Sequence, residues 1–230
     1  MKILGIVPAR GGSKGIPEKN ISLLNNKPLI AYTIKAAKES KLISRCILTS
    51  DSDKIISIAK KFNLEVPFKR PSEISTDATP ALPVIQHAVA WLRDHDNYIP
   101  DYIVLLQPTS PLRTARHIDK ALKKLVQSNA DSIVSVVKVP HNFNPYSIMK
   151  LDNGLLSTFS DYDENRNIRQ LKPVFYGRNG AAIYAFTYDC LMHKNSLYGD
   201  SILPYEMDRR DSIDIDDPFD LEICECILRS

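Results

Sequence analysis

The chain begins MKILGIVPARGGSKGIPEKN, an apolar stretch that runs directly into a glycine-rich, cationic loop. Ile3 to Val7 is short and apolar at consecutive positions, the pattern of a strand covered on both faces. Arg10, Gly11, Gly12, Ser13, Lys14, Gly15 and Lys19 follow, with no candidate core residue until Ile16. Glycines let backbone N–H groups approach an anion closely, and Arg and Lys neutralise charge that is costly to desolvate. A loop of this make-up after a buried strand points to phosphate, and its cations point to a nucleoside triphosphate. Two common phosphate motifs are excluded by spacing, since neither G-x-x-x-x-G-K-[ST] nor G-x-G-x-x-G is present.

Apolar, β-rich segments then alternate with helical patterns: Ile3–Val7 and Leu29–Lys38, Arg45–Ser50 and Lys54–Phe62, Pro83–Arg93 and Tyr102–Gln107, Ile118–Val126 and Ser132–Val137. This alternation predicts an α/β protein of βαβ units, with a mainly parallel sheet and helices on both faces. Ligands of such sheets lie beyond the carboxyl ends of the strands, here Arg10, Asp51 and Gln107. The pattern changes between residues 140 and 172, where two short runs flank Asp152-Asn153-Gly154, the signature of a β-hairpin. We read this as an arm projecting from a single domain that spans residues 1–230, and as a dimerisation arm because an isolated hairpin is marginally stable without a surface to pack on, a decorative surface arm being the competing reading. Afterwards a strand is expected at Ala181–Phe186, another near Ser212–Ile215, and a closing helix over Asp217–Leu228.

With 43% apolar residues the chain can bury a sizeable core. Its net charge of +3 is small against 30 basic and 27 acidic residues, and the cations form no long stripe of the kind that binds nucleic acid. Cys224 and Cys226 would point to different sides of a helix, so four reduced thiols are expected, with neither metal nor disulfide. No apolar run approaches membrane-spanning length and the first residues lack a secretory pattern, which makes a soluble cytoplasmic protein the expectation.

Two further segments carry chemistry. Ser212-Ile213-Asp214-Ile215-Asp216-Asp217, if extended, turns Asp214 and Asp216 to one side and the isoleucines to the core. Paired carboxylates suit Mg²⁺, which takes one or two of them and completes its shell with water and phosphate oxygens. Helix capping is the competing role, assigned mainly to Asp217 and Asp220. Gln107-Pro108-Thr109-Ser110-Pro111-Leu112-Arg113 follows an apolar strand, and its prolines rigidify a turn at the expected crevice.

Taken together, P-A-R-G-G-S-K-G-I-P-x-K-N, Q-P-T-S-P-L-R, Ser50-Asp51-Ser52, Arg70-Pro71, Asn179-Gly180-Ala181-Ala182-Ile183-Tyr184 and Asp211-Ser212-Ile213-Asp214-Ile215-Asp216 resemble the acylneuraminate cytidylyltransferase family, the CMP-sialic acid and CMP-legionaminic acid type. The resemblance implies a Rossmann-like nucleotidyltransferase fold and a homodimer that transfers CMP from CTP to the anomeric hydroxyl of a nine-carbon 2-keto acid sugar. It implies that CTP is held by Arg10, Lys19, Asn20 and Arg70 with the loop Gly11, Gly12, Ser13 and Lys14. The sugar would be held by Gln107, Arg169, Asn179 and Tyr184. Asp214 and Asp216 would bind Mg²⁺, and with Arg10 and Lys19 would form the catalytic set. Pseudaminic acid, Kdo or a neutral sugar phosphate are alternative substrates, and the lack of an acid between Gln107 and Arg113 argues against Kdo. A catalytically inert nucleotide-binding homologue is the other alternative. Glu18 stands where the family carries glycine, which puts a carboxylate near the expected phosphates. A basic residue contributed by a partner subunit would be one of Lys138, Lys150 and Lys172.

Overall fold

The computed structural model describes residues 1–13, 15–159 and 172–229. In chain order its elements are β1 (Ile3–Pro8), β2 (Leu23–Leu24), β3 (Lys27–Pro28), α1 (Leu29–Glu39), β4 (Arg45–Thr49), α2 (Asp53–Lys61), α3 (Ala81–Asp96), β5 (Tyr102–Leu105), α4 (Ala115–Val126), β6 (Ser132–Lys138), β7 (Met149–Asp152), β8 (Leu155–Thr158), β9 (Tyr176–Arg178), β10 (Tyr184–Thr187), α5 (Tyr188–Met192), β11 (Ile202–Glu206) and α6 (Pro218–Arg229). The expected βαβ alternation is present. A seven-stranded sheet runs in the order β11-β6-β10-β5-β1-β4, with β9 also paired to β6. β1 is parallel to β4 and β5, β11 is parallel to β6, and β10 lies antiparallel between β5 and β6.

The run of apolar residues in β1 is explained by two cores. Leu4 and Ile6 pack towards Ile85, Val89 and Leu92 of α3, while Ile3 faces α1 and α4 with Ala37, Ile118 and Leu122, and Val7 meets Ile30 and Ile34 of α1 and Ile55 of α2. Alternate residues of a strand point to opposite faces, so a strand covered on both sides must be apolar throughout. Each fully buried Ile or Leu here contributes on the order of 2 kcal/mol relative to exposure.

The Ser212–Ile215 segment departs from the expected strand. Arg209–Ser212 forms a 3₁₀ turn, and beyond it the Ile215 N–H donates to the Thr109 carbonyl at 2.8 Å, a contact with a loop instead of a ladder. The sheet edge is filled by β11, whose Pro204 obscured it in the sequence; an edge strand tolerates proline because one row of its N–H groups needs no ladder partner.

The hairpin is present as β7 and β8, joined through Asn153 (φ 48°) and Gly154 (φ 81°), both in the left-handed region that a type I′ turn requires. Every residue of both strands is exposed. All four cysteines are free, with Cys224 buried and Cys226 exposed on α6, as the i, i+2 spacing implies. Among the described residues, no helix is long and apolar enough to cross a membrane.

Candidate functional site

A cleft of about 460 Å³ opens beyond the carboxyl ends of β1 and β5, where an α/β sheet of this topology places ligands. Arg10, Ser13, Lys19, Asn20, Arg70, Gln107, Asp214 and Asp216 all line it, brought together from the whole length of the chain. Lys14 and Arg169 lie outside the described residues.

The cationic wall is braced from behind. Asp51, at the end of β4, accepts the Gly11 N–H at 3.1 Å and the Arg70 guanidinium at 3.4 Å, so one carboxylate joins the glycine loop to Arg70. Arg70 is 5% exposed, and burial lowers its pKa against the opposing pull of Asp51. Its Nε also donates to the Ser75 hydroxyl at 3.0 Å. Asn20 is buried and its amide donates to the Arg10 carbonyl at 3.0 Å, which holds the loop's entry. The Arg10 guanidinium pairs with Asp77 at 2.6 Å. Gly12 has open space around it. Glu18 adopts φ 51°, the left-handed conformation that glycine takes without penalty, and its carboxylate turns away to Lys54 at 2.5 Å. The expected carboxylate is therefore directed out of the cleft.

The acidic wall comes from the segment before α6. Two glycines admit it: the Asp216 carbonyl sits where a Cβ on Gly15 would be, and the Asp214 carboxylate lies over Gly180, whose φ is 66°. A side chain at either position would push the aspartates out of place. Asp214 is half-buried, and the loss of water around it raises its pKa; the Thr109 hydroxyl and Lys19 favour its ionised form, and Asp216 opposes it. Its Oδ1 is buried without a hydrogen-bond partner. Asp216 is exposed and its Oδ1 accepts from Lys19 Nζ at 3.1 Å, while the same ammonium donates to the Ile215 carbonyl at 2.8 Å. Capping of α6 falls to Asp217 and Asp220: Asp220 accepts the N–H groups of Asp216 and Asp217 at 2.9 and 3.2 Å, and Asp217 accepts that of Asp220 at 3.0 Å. The Asp216 side chain is thus left to the cleft. An orphaned, buried carboxylate oxygen beside a second carboxylate fits a hard cation, and no third metal-ligating side chain joins them among the described residues.

Two residues expected at the sugar site, Asn179 and Tyr184, do not line this cleft. Asn179 is buried, accepts from the Ser135 hydroxyl at 2.7 Å and donates to Ser212 Oγ at 2.9 Å, so it tethers the segment leading to Asp214. Tyr184 packs its ring 6.0 Å from that of Tyr198 and is 7% exposed, and burial pushes its phenol up to about 12. Sequence reasoning also missed cleft residues: Ala81, Val84 and Ile85 at the start of α3 form an aliphatic wall, with Thr79 just before the helix. The signal was the helix start itself, which faces the same strand ends as the glycine loop.

A mostly parallel sheet with a glycine-rich cationic loop and two aspartates around a cleft at its strand ends defines an α/β nucleotide-binding protein. The chain belongs to the cytidylyltransferase family, whose profile matches residues 4–216. It is 36% identical over 223 residues to an N-acylneuraminate cytidylyltransferase of Escherichia coli O18:K1:H7, covering 96% of this chain and 51% of that protein, so it spans about half the relative's length. It is 33% identical over 228 residues to a CMP-N,N'-diacetyllegionaminic acid synthase of Campylobacter jejuni, covering 99% of this chain and 95% of that one. In fold it is similar to a CMP:2-keto-3-deoxy-manno-octonic acid synthetase structure, with a TM-score of 0.75 at 16% identity over 100% of this chain and 99% of the other.

Proposed function

We propose that this protein transfers CMP from CTP to the anomeric hydroxyl of a nine-carbon 2-keto acid sugar of the N-acetylneuraminic or legionaminic type, releasing pyrophosphate. The observation that carries the reading is the single cleft in which Arg10, Lys19 and Arg70 face Asp214 and Asp216. Relatives named for such sugars, one matched along nearly its whole length, support the choice of acceptor.

In this reading the protein's task is positioning and charge neutralisation, as phosphoryl-type transfers require. Arg10 and Lys19 balance the charge of the triphosphate and the departing pyrophosphate, with Lys14 and the N–H groups of Gly12 and Ser13 alongside, while the expected Gly11 N–H is already taken by Asp51 and braces the loop instead. Asn20 keeps that loop in register through the Arg10 carbonyl. Arg10 leaves Asp77 to meet phosphate, an exchange of one exposed anion for another. Gln107 presents its amide to the sugar, Arg169 answers the sugar carboxylate, and Asn179 acts from behind through Ser212. Asp214 and Asp216 would hold Mg²⁺, which supplies charge for phosphate oxygens and lowers the pKa of a hydroxyl bound to it. Among the described residues no histidine lines the cleft.

The hairpin's exposed Met149, Leu151, Leu155, Leu156 and Phe159 support a homodimer formed through the 140–172 arm, of which residues 160–171 lie outside the described residues. A cytoplasmic protein without a nucleic-acid partner is the accompanying reading. The deciding assay is pyrophosphate release from CTP and Mg²⁺ with N-acetylneuraminic, diacetyllegionaminic, pseudaminic and Kdo sugars against a no-sugar control. Release dependent on one of the first two is expected. Release with Kdo alone, or with none while CTP binds, would overturn the assignment.

A further inference from the structure

We propose that Arg113 is a positioning residue of the cleft, tying the Gln107 turn to the Ala181-Ala182 segment and so setting where the Gln107 amide and the Asp214 carboxylate stand. The kinetic part of this proposal rests on the reaction proposed above; the structural part does not.

Arg113 is 2% exposed and far along a rigid turn from the residues that face the cleft. Its Nη1 donates to the carbonyls of both Gln107 and Ala182, each at 3.0 Å, and its Nη2 donates to the hydroxyl of Thr33 on α1. That hydroxyl in turn lies 3.3 Å from the same Gln107 carbonyl. Among the described residues no carboxylate pairs with this guanidinium, and its Nε has no hydrogen-bond partner. Burial pushes its pKa down to about 9, so it keeps its charge at neutral pH. A buried cation without a counter-ion is costly, and packing alone would favour an apolar side chain of the same volume.

The register of the sheet explains the charge. In the antiparallel pair of β5 and β10, Leu105 faces Tyr184, and extending that register sets Gln107 opposite Ala182. The Gln107 N–H instead donates to the Ala181 carbonyl at 3.1 Å, one residue out of step. Such a slip takes carbonyls off the ladder. Those of Gln107 and Ala182 both accept from Nη1 of Arg113 while its Nη2 donates to Thr33, so the planar guanidinium ties two strand ends to α1, which an apolar residue cannot do and a single ammonium does not do in the same fixed plane. One side of this joint carries the Gln107 amide of the cleft wall, and the other carries Gly180, against which the Asp214 carboxylate rests.

The test compares the intact protein with Arg113→Met and Arg113→Lys. Amide hydrogen exchange is expected to quicken in peptides spanning 105–113 and 180–184 in Arg113→Met, with the rest of the sheet unchanged and Arg113→Lys in between. With the sugar that the wild type accepts, KM for sugar should rise about tenfold in Arg113→Met through the Gln107 amide and kcat should fall through Asp214, while KM for CTP, which Arg10, Lys19 and Arg70 also hold, stays within about twofold. Unchanged exchange in both segments, faster exchange spread over the whole sheet, or equal rises in both KM values would each overturn the proposal. Should Arg113→Met fail to fold, Arg113→Lys carries the same readouts at smaller amplitude. A wild type that turns over no sugar would refute the reaction alone, because the exchange comparison needs no substrate.

Discussion

The cleft and the hairpin are built on opposite principles. In the cleft, buried polar groups are satisfied by partners distant in sequence: Asp51 joins Gly11 to Arg70, and Lys19 reaches Ile215 and Asp216. The hairpin is held by its own turn and ladder, and its apolar side chains meet solvent. The difference teaches that local turn chemistry can shape an arm, whereas a site that concentrates like charges needs a scaffold fixed from behind. Changes in the cleft should therefore alter activity more than folding, and changes in the hairpin should alter assembly more than either.

The sharpest way to break this contrast is Asp214→Asn. Burial raises the Asp214 pKa, so the folded protein holds that proton more tightly than the unfolded chain does. This carboxylate then subtracts stability as pH rises through its raised folded pKa and adds none above it. Replacing it should leave the thermal midpoint unchanged or higher, while turnover with Mg²⁺ falls by roughly 10²-fold or more. A large fall in the midpoint with activity retained would make Asp214 structural.

Arg70→Met comes next. It removes a buried cation and leaves Asp51 with the Gly11 N–H alone, so CTP affinity measured by calorimetry should weaken about tenfold or more. Unchanged CTP affinity would move the nucleotide away from this wall.

On the arm, replacing Leu151, Leu155 and Leu156 together by Ser should change the midpoint little, because these side chains are exposed in the single chain. Sedimentation should then show a shift from the proposed dimer towards monomer; an unchanged sedimentation profile would place the interface elsewhere. The smallest effect is expected from Glu18→Gly, which relieves a left-handed backbone at the expense of an exposed pair with Lys54. Its midpoint should rise by at most about 2–4 °C, and a fall would mean that the Lys54 pair outweighs the backbone strain.

Much of this molecule is legible from residue order alone. The alternation of apolar runs and amphipathic stretches located β1, β4, β5, β6 and the helices between them, because burial on two faces demands uninterrupted apolar strands. The glycine-rich loop, the D-N-G turn and the Asp217–Asp220 cap are read in the same way, each being chemistry between near neighbours. Other features are set by long-range contacts. β11 wins the sheet edge despite Pro204, the Asp214 segment leaves the strand pattern to meet Thr109 and Gly180, and the Asn179 amide is spent on Ser135 and Ser212. Which polar atoms end up satisfied, and which, like Asp214 Oδ1, stay free beside a cleft, depends on partners far apart in the chain, and only packing brings those together.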